Sequence, residues 1–580
     1  MSDNLLVRRD VSFYLHDWLC ISSIAEADTI DAFIDLSEKL AEDRFLTHYK
    51  QSDVTEPSLG PSGVHILPEI SQALAQYAEL GFFSAGFPED IGGLGLPFLA
   101  CSVSFAYFAA ANIATSAYPM LTVANARLIA TFGTPSQIEK FAKPQIAGRW
   151  FGTMCLSEPQ AGSNLADIRT KAVAEGVDEF GHRFLISGNK MWISGGDQDA
   201  SENIVHLVLA KIPDTDGKLP EGTKGLSLFI VPKILPEGRR NDVVVAGLNH
   251  KMGYRGTANC LLNFGESQGA VGWLIGEPGQ GLRQMFVMMN EARVNVGLGA
   301  AALGYRSYRL SVDYARDRVQ GRKIGCRDEG SVAIIEHPDV KLMLLAQKAY
   351  VEGALALCLY SALLVDKGED EESSALLGLL TPVTKTWSSE FCLAANDLAI
   401  QIHGGYGYTR DFSVEQLLRD NRLNAIHEGT TGIQAIDLLG RKLLRDGSAL
   451  AILRRRVRQT VERAGISEQL SPFSTQLISV WDQLALALSE LRSCAAVSAY
   501  NNATPFLRAF GHGVVAWLWL DQAAVAVSSS APGIDEKNFI SGKAAACRYF
   551  FEYEVPRVSA WLAPIFNRSD LIASISSDVF

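Results

Sequence analysis

Apolar positions recur at helical spacing through the first part of the chain. Phe13, Leu15, Trp18 and Leu19, then Ala32, Phe33, Leu36 and Leu40, follow the three-to-four-residue rhythm of amphipathic helices. The Ser-, Pro- and Gly-containing stretch 52–63 reads as a linker. From Leu67 to Gly148 the rhythm is helical again, with loops at 86–97 and 133–135. The texture changes at Trp150. Short β-favouring runs at 184–187, 204–210, 226–231 and 242–245, punctuated by Gly, Asn and Asp, predict a small β domain reaching to about Ile275. Beyond Gly276 long helical patterns return, with the acidic stretch 366–374 as an exposed loop. A last region is helical over 480–495, 513–527 and 542–553.

These patterns divide the chain into five segments. They are an N-terminal helical extension (1–60), a helical domain (61–149), a middle β domain (150–275), a second helical domain (276–445) and an extra C-terminal helical domain (446–580). The fold class is α+β, mainly helical. With 580 residues, 48% apolar and 20% charged, the composition is that of a globular protein and excludes a disordered chain. The net charge of −12 speaks against a nucleic-acid or anionic-membrane binder. Nine cysteines stand singly, an odd total without a CxxC pair, which suits neither a disulfide framework nor a zinc site. No metal is expected, and reduced thiols fit a cytoplasmic location. The opening MSDNLLVRRDVSF carries charge where a secretory signal needs an apolar core. The richest apolar stretches, 353–365 and 514–520, read as too short to span a bilayer, so no membrane is expected.

Four segments carry candidate chemistry. Cys155-Leu-Ser-Glu-Pro-Gln-Ala-Gly-Ser-Asn164 follows a strand end, where a turn exposes N–H groups and hydroxyls able to hold phosphate oxygens or a polar ring edge. An ordinary turn has the same composition. Lys190-Met-Trp-Ile-Ser-Gly-Gly196 sets an indole beside a tight turn, as a cofactor platform or as core. Gln401-Ile-His-Gly-Gly-Tyr-Gly-Tyr408 offers close backbone approach to a ligand, or a helix C-cap. Ile426-His-Glu-Gly-Thr-Thr-Gly-Ile-Gln434 places a carboxylate in apolar surroundings. Burial there would raise its pKa toward that of a useful base, although a helix N-terminal carboxylate is the plain alternative.

Taken in order with Gly86-Phe-Pro-Glu-Asp-Ile-Gly-Gly-Leu-Gly95, Gly276-Glu-Pro-Gly-Gln-Gly-Leu282 and Arg318-Val-Gln-Gly-Arg322, these segments resemble the acyl-CoA dehydrogenase family over about residues 65–445. The N-terminal extension, the helical tail and Met289-Asn-Glu-Ala-Arg293 are similar to its larger members, which include methylthiopropionyl-CoA dehydrogenases. The resemblance implies a helical N-terminal domain, a β-barrel-like middle domain and a four-helix C-terminal domain, followed by the extra helical domain. It implies FAD-dependent oxidation of an acyl-CoA thioester to the trans-2-enoyl-CoA, with electrons passed to an electron-transfer flavoprotein, in a homodimer.

Residue by residue, the resemblance makes Glu428 the base that removes the α-proton, with its own N–H as one donor to the thioester oxygen. It places Met154, Leu156 and Ser157 along the flavin ring, Ser163 near pyrophosphate or substrate, and Trp192, Ile193 and Ser194 at the other flavin edge. Arg318, Gln320, Gln401, Gly404 and Gly405 would reach the adenine half across a subunit interface, and Thr430 the phosphates or the nearby ribityl. Arg293 and Gly429, with Ser163, would face the substrate. Two other readings stand beside this one. An acyl-CoA oxidase would share the chemistry and use O₂. A flavin-bearing nucleic-acid binder of the same fold has only Arg454, Arg455, Arg456 and Arg458 in its favour, and such a run is usually a solvated helix face.

The sequence also departs from the family pattern. Gly321 stands where an aromatic residue is common, Asn164 where Asp is, and His427 where Tyr is frequent. His427 could tune the base or simply fill space, and His403 is expected to pack beside its glycine turn.

Overall fold

The computed structural model describes residues 5–325, 330–528 and 533–580, with only the backbone of Val287 and Met288. Contacts divide the chain into two compact units, one of residues 28–292 and one of residues 1–27 together with 293–580.

In the unit 28–292, helix Phe98–Phe132 is the longest element. It departs from helical geometry at Asn112 (φ −160°, ψ 93°). The freed backbone is compensated locally. The Asn112 amide donates to Phe45 O (3.3 Å) and Ser52 Oγ (3.2 Å), and its Oδ1 accepts from Thr115 N (3.3 Å). The stretch 52–63 is not a plain linker. It contains strand β1 (Ser58–Gly60), which turns through Pro61-Ser62 into β2 (Gly63–His65). One apolar anchor, the buried Val64, and two acceptors hold this hairpin. Val64 N–H donates to Asp197 (3.1 Å) and Ile66 N–H to Asp199 (3.2 Å).

The β domain comprises β3 (Trp150–Cys155), β4 (Lys171–Asp178), β5 (Gly181–Ser194), β6 (Asn203–Lys211), β7 (Leu226–Pro232), β8 (Val243–Leu248), β9 (Asn259–Phe264) and β10 (Ala270–Leu274). Strand β10 pairs with both β7 and β5, and β6, β4 and β5 complete the circuit, so the sheet closes on itself as a barrel. Strand β3 lies parallel to β6, and β9 and β8 extend the sheet beyond β5. Alternate residues Val205, Leu207 and Leu209 of β6 and Leu226, Leu228 and Ile230 of β7 share one core with Ala126, Leu128 and Ile129 of the long helix.

The other unit is built from helices Pro338–Asp366 and Glu371–His403, the C-terminal part of Gly281–Asp317, and the tail helices Ser448–Ala464, Ser471–Ser493, Ala503–Ser528, Ile534–Tyr549 and Arg557–Phe566. The acidic stretch is a shorter loop than its composition suggests. Asp370 caps the next helix by accepting from Ser373 N (3.1 Å), so Glu371 onward is helical. The arginine run lies on a helix, with Arg458 exposed and the other three engaged within the protein. Arg455 pairs with Glu372, Arg454 with Asp482 (3.5 Å), and Arg456 donates to Tyr360 Oη (2.9 Å).

Three helices, Phe98–Phe132, Pro338–Asp366 and Ala503–Ser528, are long and apolar enough to cross a membrane by length and composition. This corrects the expectation that no segment was. Apolar runs were weighed by unbroken length, whereas scattered Ser, Thr and Asn leave a helix apolar on average. Within the protein 89%, 83% and 83% of these windows are buried, which accounts for their apolar residues on every side.

Candidate active site

In the unit 28–292, the segments 155–164 and 190–196 are joined by a buried ion pair. Lys190 Nζ reaches Glu158 Oε1 (3.0 Å) and Leu156 O (2.9 Å), and Met191 N–H donates to Ser157 O (3.0 Å). Glu158 also accepts from Arg169 N (2.7 Å), Thr170 N (3.0 Å) and Thr170 Oγ1 (2.6 Å). Burial alone would raise its pKa, but Lys190 and these donors bring it down to about 2. The carboxylate thus fixes the turn that carries Leu156, Ser157 and Ser163. Met154, Leu156 and Ser157 are half-buried, and Ser163 is exposed.

Trp192 has a left-handed backbone (φ 66°) and an indole 58% exposed, while its neighbour Ile193 is buried. A bulky residue held left-handed costs on the order of 1–3 kcal/mol, and its exposure excludes the alternative that Trp192 is core. Ser194 Oγ accepts from Asn259 Nδ2 (3.2 Å). Asn164 takes over the turn role of a carboxylate. Its Oδ1 accepts from Ala166 N (3.2 Å) and its amide donates to Asp167 (2.7 Å).

In the other unit, Glu428 and Gly429 are successive left-handed residues (φ 53° and 89°). Their carbonyls are held by two side chains that the sequence reading missed. Gln434 Nε2 donates to Glu428 O (2.9 Å) and Gly429 O (3.4 Å), and Lys385 Nζ donates to Gly429 O (2.7 Å). The Glu428 side chain remains open to solvent although protein crowds around it. That crowding raises its pKa, against the opposing pull of Arg293 and Lys385. Arg293 is itself fixed by Asp437 (2.8 Å), both side chains being almost fully buried. Burial pushes Lys385 down to about 8. His427 contacts Asn424 Oδ1 through Nε2 (3.1 Å), and burial, helped by Lys385, drives its pKa to about 3. His427 is therefore neutral beside Glu428. Thr430 caps helix Thr431–Ile436 without a side-chain hydrogen bond of its own.

Arg318, Gln320, Gly404 and Gly405 line one cavity of about 480 Å³ in this unit, with Tyr314 and His403 among its walls. Gln401 is exposed in the last turn of the helix just before it. A Cβ on Gly404 or Gly405 would meet open space, so nothing in the protein itself requires glycine at Gly405. Arg318 lies over the Tyr406 ring (5.8 Å). His403 packs as expected, stacked on Tyr314 (4.3 Å) with Nδ1 at Ala399 O (2.8 Å). Gly321 has a structural cause. Its φ of 74° is one that an aromatic residue adopts only under strain, and Gln320 and Gly321 exchange backbone hydrogen bonds with Val332 (both 3.0 Å). Among the described residues no group of His, Cys, Asp and Glu could hold a metal ion.

Family models match along most of the chain. They are those of the acyl-CoA dehydrogenase N-terminal domain (35–149), middle domain (153–266) and C-terminal domain (279–444), and of the acetyl-CoA dehydrogenase C-terminal like domain (453–576). A 3-methylmercaptopropionyl-CoA dehydrogenase of Ruegeria pomeroyi is 35% identical over 544 residues, covering 90% of each chain. The chain belongs to the acyl-CoA dehydrogenase family. A second relative of this acyl-CoA dehydrogenase is the broad-specificity linear acyl-CoA dehydrogenase FadE5 of Mycobacterium tuberculosis. It is 34% identical over 93% of this chain and 92% of its own. Among solved structures, Caenorhabditis elegans ACDH-11 in complex with C11-CoA superposes with a TM-score of 0.81 at 19% identity, covering 100% of this chain and 96% of its own. That likeness confirms the fold, the extra C-terminal helices included.

The family is FAD-dependent, and the residues present fit such a group. The indole of Trp192 is exposed on a strained backbone, and a guanidinium borders a cavity floored by two glycines.

Proposed function

We propose that this acyl-CoA dehydrogenase binds FAD and oxidises an acyl-CoA thioester to the trans-2-enoyl-CoA, with Glu428 as the base and an electron-transfer flavoprotein as electron acceptor. The observation that carries the reading is Glu428 itself, a carboxylate crowded by protein, raised in pKa and flanked by Arg293 and Lys385. An α-proton of a thioester is too weakly acidic for a carboxylate in water. A desolvated carboxylate is a stronger base, and a donor at the thioester oxygen stabilises the developing negative charge. Glu428 N–H serves as that donor, Arg293 and Lys385 keep the carboxylate able to ionise, and Ser163 and Gly429 contact the thioester. The bound flavin supplies the acceptor for the β-hydrogen as hydride. Met154, Leu156, Ser157, Trp192, Ile193 and Ser194 would hold the flavin ring and Thr430 the phosphates. Arg318, Gln320, Gln401, Gly404 and Gly405 of a partner copy would hold the adenine half, which makes the working form a homodimer.

The test is anaerobic. Purified protein is mixed with a panel of acyl-CoA thioesters, linear, branched, phenylpropionyl and methylthiopropionyl, without an acceptor. Bleaching of the oxidised-flavin band by some of them is the expected result, and Glu428→Gln should keep the flavin and lose at least about 10²-fold in rate. A variant within threefold of wild type removes Glu428 as the base. Stoichiometric peroxide in air would replace the electron-transfer flavoprotein by O₂.

A further inference from the structure

We propose that Lys385 is a positioning residue for the Glu428 base, gripping the Gly429 carbonyl and so holding the left-handed Glu428–Gly429 pair in place. The proposal rests on the reading of Glu428 as the base. Lys385 lies within helix Glu371–His403 and is fully buried. A buried ammonium needs oxygen partners, and Gly429 O, at 2.7 Å, is one. The other tether of the pair, Gln434, lies in the short helix Thr431–Ile436 that directly continues the loop. Lys385 is the fixed point, because it projects from a long helix packed elsewhere in the unit.

Its charge acts on the same group. Lys385 faces Glu428 and His427 of the loop, Arg293 of helix Gly281–Asp317, and Glu390 of its own helix. Burial outweighs Glu428 and leaves Lys385 at about 8, so it is mostly charged at neutral pH. That charge opposes the effect of the protein crowding around Glu428. Lys385 thus sets both where the base sits and how readily it ionises, through its hold on the Gly429 carbonyl and its charge.

The experiment compares the wild-type holoenzyme with Lys385→Met and Lys385→Arg. Hydrogen exchange of the 426–434 amides reads the geometry, and kcat against pH reads the charge. Lys385→Met fills the same space without a donor or a charge. It should speed exchange across 426–434 and lower kcat about tenfold with KM little changed. It should also move the acid limb of the profile to higher pH, because the carboxylate has lost a cation. Lys385→Arg should bring the limb back toward wild type. Wild-type exchange across 426–434, or an acid limb that stays in place, overturns the proposal. If Lys385→Met does not fold, Lys385→Gln is judged by the same two readings. Failure of the base assignment looks different, since Glu428→Gln would then retain both turnover and the acid limb, while the exchange result still decides whether Lys385 holds the loop.

Discussion

At Glu428, Lys385 bears on both conformation and charge, yet Gly429 and the carboxylate itself allow each to be tested apart. The positive φ of Gly429 leaves glycine as the residue of choice, and an added Cβ would lie 2.6 Å from Gln434 Nε2. Gly429→Ala should cost roughly 1–2 kcal/mol of stability, read by denaturant unfolding, and lower kcat far more than FAD retention. A variant with wild-type kcat would show that the loop geometry is irrelevant to the reaction. The raised pKa of Glu428 fixes a sign as well. The folded state favours the protonated form, so this group's favourable contribution is complete below its unfolded pKa and is lost as pH rises through the folded one. Glu428→Gln should therefore melt no lower than wild type at neutral pH and should match it in acid. At this scale the sequence made Glu428, Arg293 and the glycine pair legible, because each stands inside a short motif. Lys385 and Gln434 were not legible as partners of the Glu428–Gly429 backbone. Lys385 reaches the loop from a distant helix, and Gln434 lay in the motif without a role that spacing could assign.

Among the elements, the buried strands were the readable ones. Strands β6 and β7 are buried along their whole length and appear as nearly continuous apolar runs. Strand β4 is exposed at nearly every position and interrupted by Gly176, so its period is lost, and β10 is only five residues long. Yet β10 closes the barrel and β4 joins its circuit, and a closed ring is a pairing property that no single run displays. The turn after β3 shows the same limit. Its composition pointed to exposed N–H groups and hydroxyls and gave no sign that Glu158 is committed inward to Lys190 and the Arg169–Thr170 backbone. Glu158→Gln leaves a buried ammonium without its countercharge and should cost about 3–5 kcal/mol. Because the folded pKa lies near 2, this contribution is present above the ordinary carboxylate pKa and disappears as pH falls toward 2. The stability gap between wild type and Glu158→Gln should thus be full at pH 7 and shrink progressively below about pH 4.5. A gap independent of pH would mean that the variant acts by packing alone.

On the scale of the whole chain, the two ends that looked like separate helical additions belong to one unit. Arg9 forms a two-pronged pair with Glu536 (2.9 and 2.7 Å) and covers the Phe539 ring (4.2 Å), and Trp18 Nε1 donates to Asp521 (2.8 Å). Beneath them lies a buried charge cluster. Lys543 Nζ contacts Asp10 (3.1 Å) and Glu352 (2.8 Å), Lys348 pairs with Glu352, and Tyr305 Oη donates to Asp10 (2.5 Å). Contacts between residues so far apart leave no periodic trace, which is why the pattern of apolar positions could not join the ends. The cluster makes the N-terminal segment a structural part of the helical unit. A chain lacking residues 1–20 would expose the surface now covered by Phe13, Tyr14, Leu15 and Trp18 and would leave Lys348 and Lys543 sharing Glu352 alone. Breaking one buried pair costs about 3–5 kcal/mol, and each large apolar side chain adds about 2 kcal/mol. Hydrogen exchange should therefore accelerate in helices Pro338–Asp366 and Ile534–Tyr549, while β5, β6 and β7 keep wild-type protection. Asp10→Asn should reproduce a smaller part of the same pattern. Equal acceleration in barrel and helices, or none in either, would mean that the N-terminal segment does not anchor the unit through this cluster.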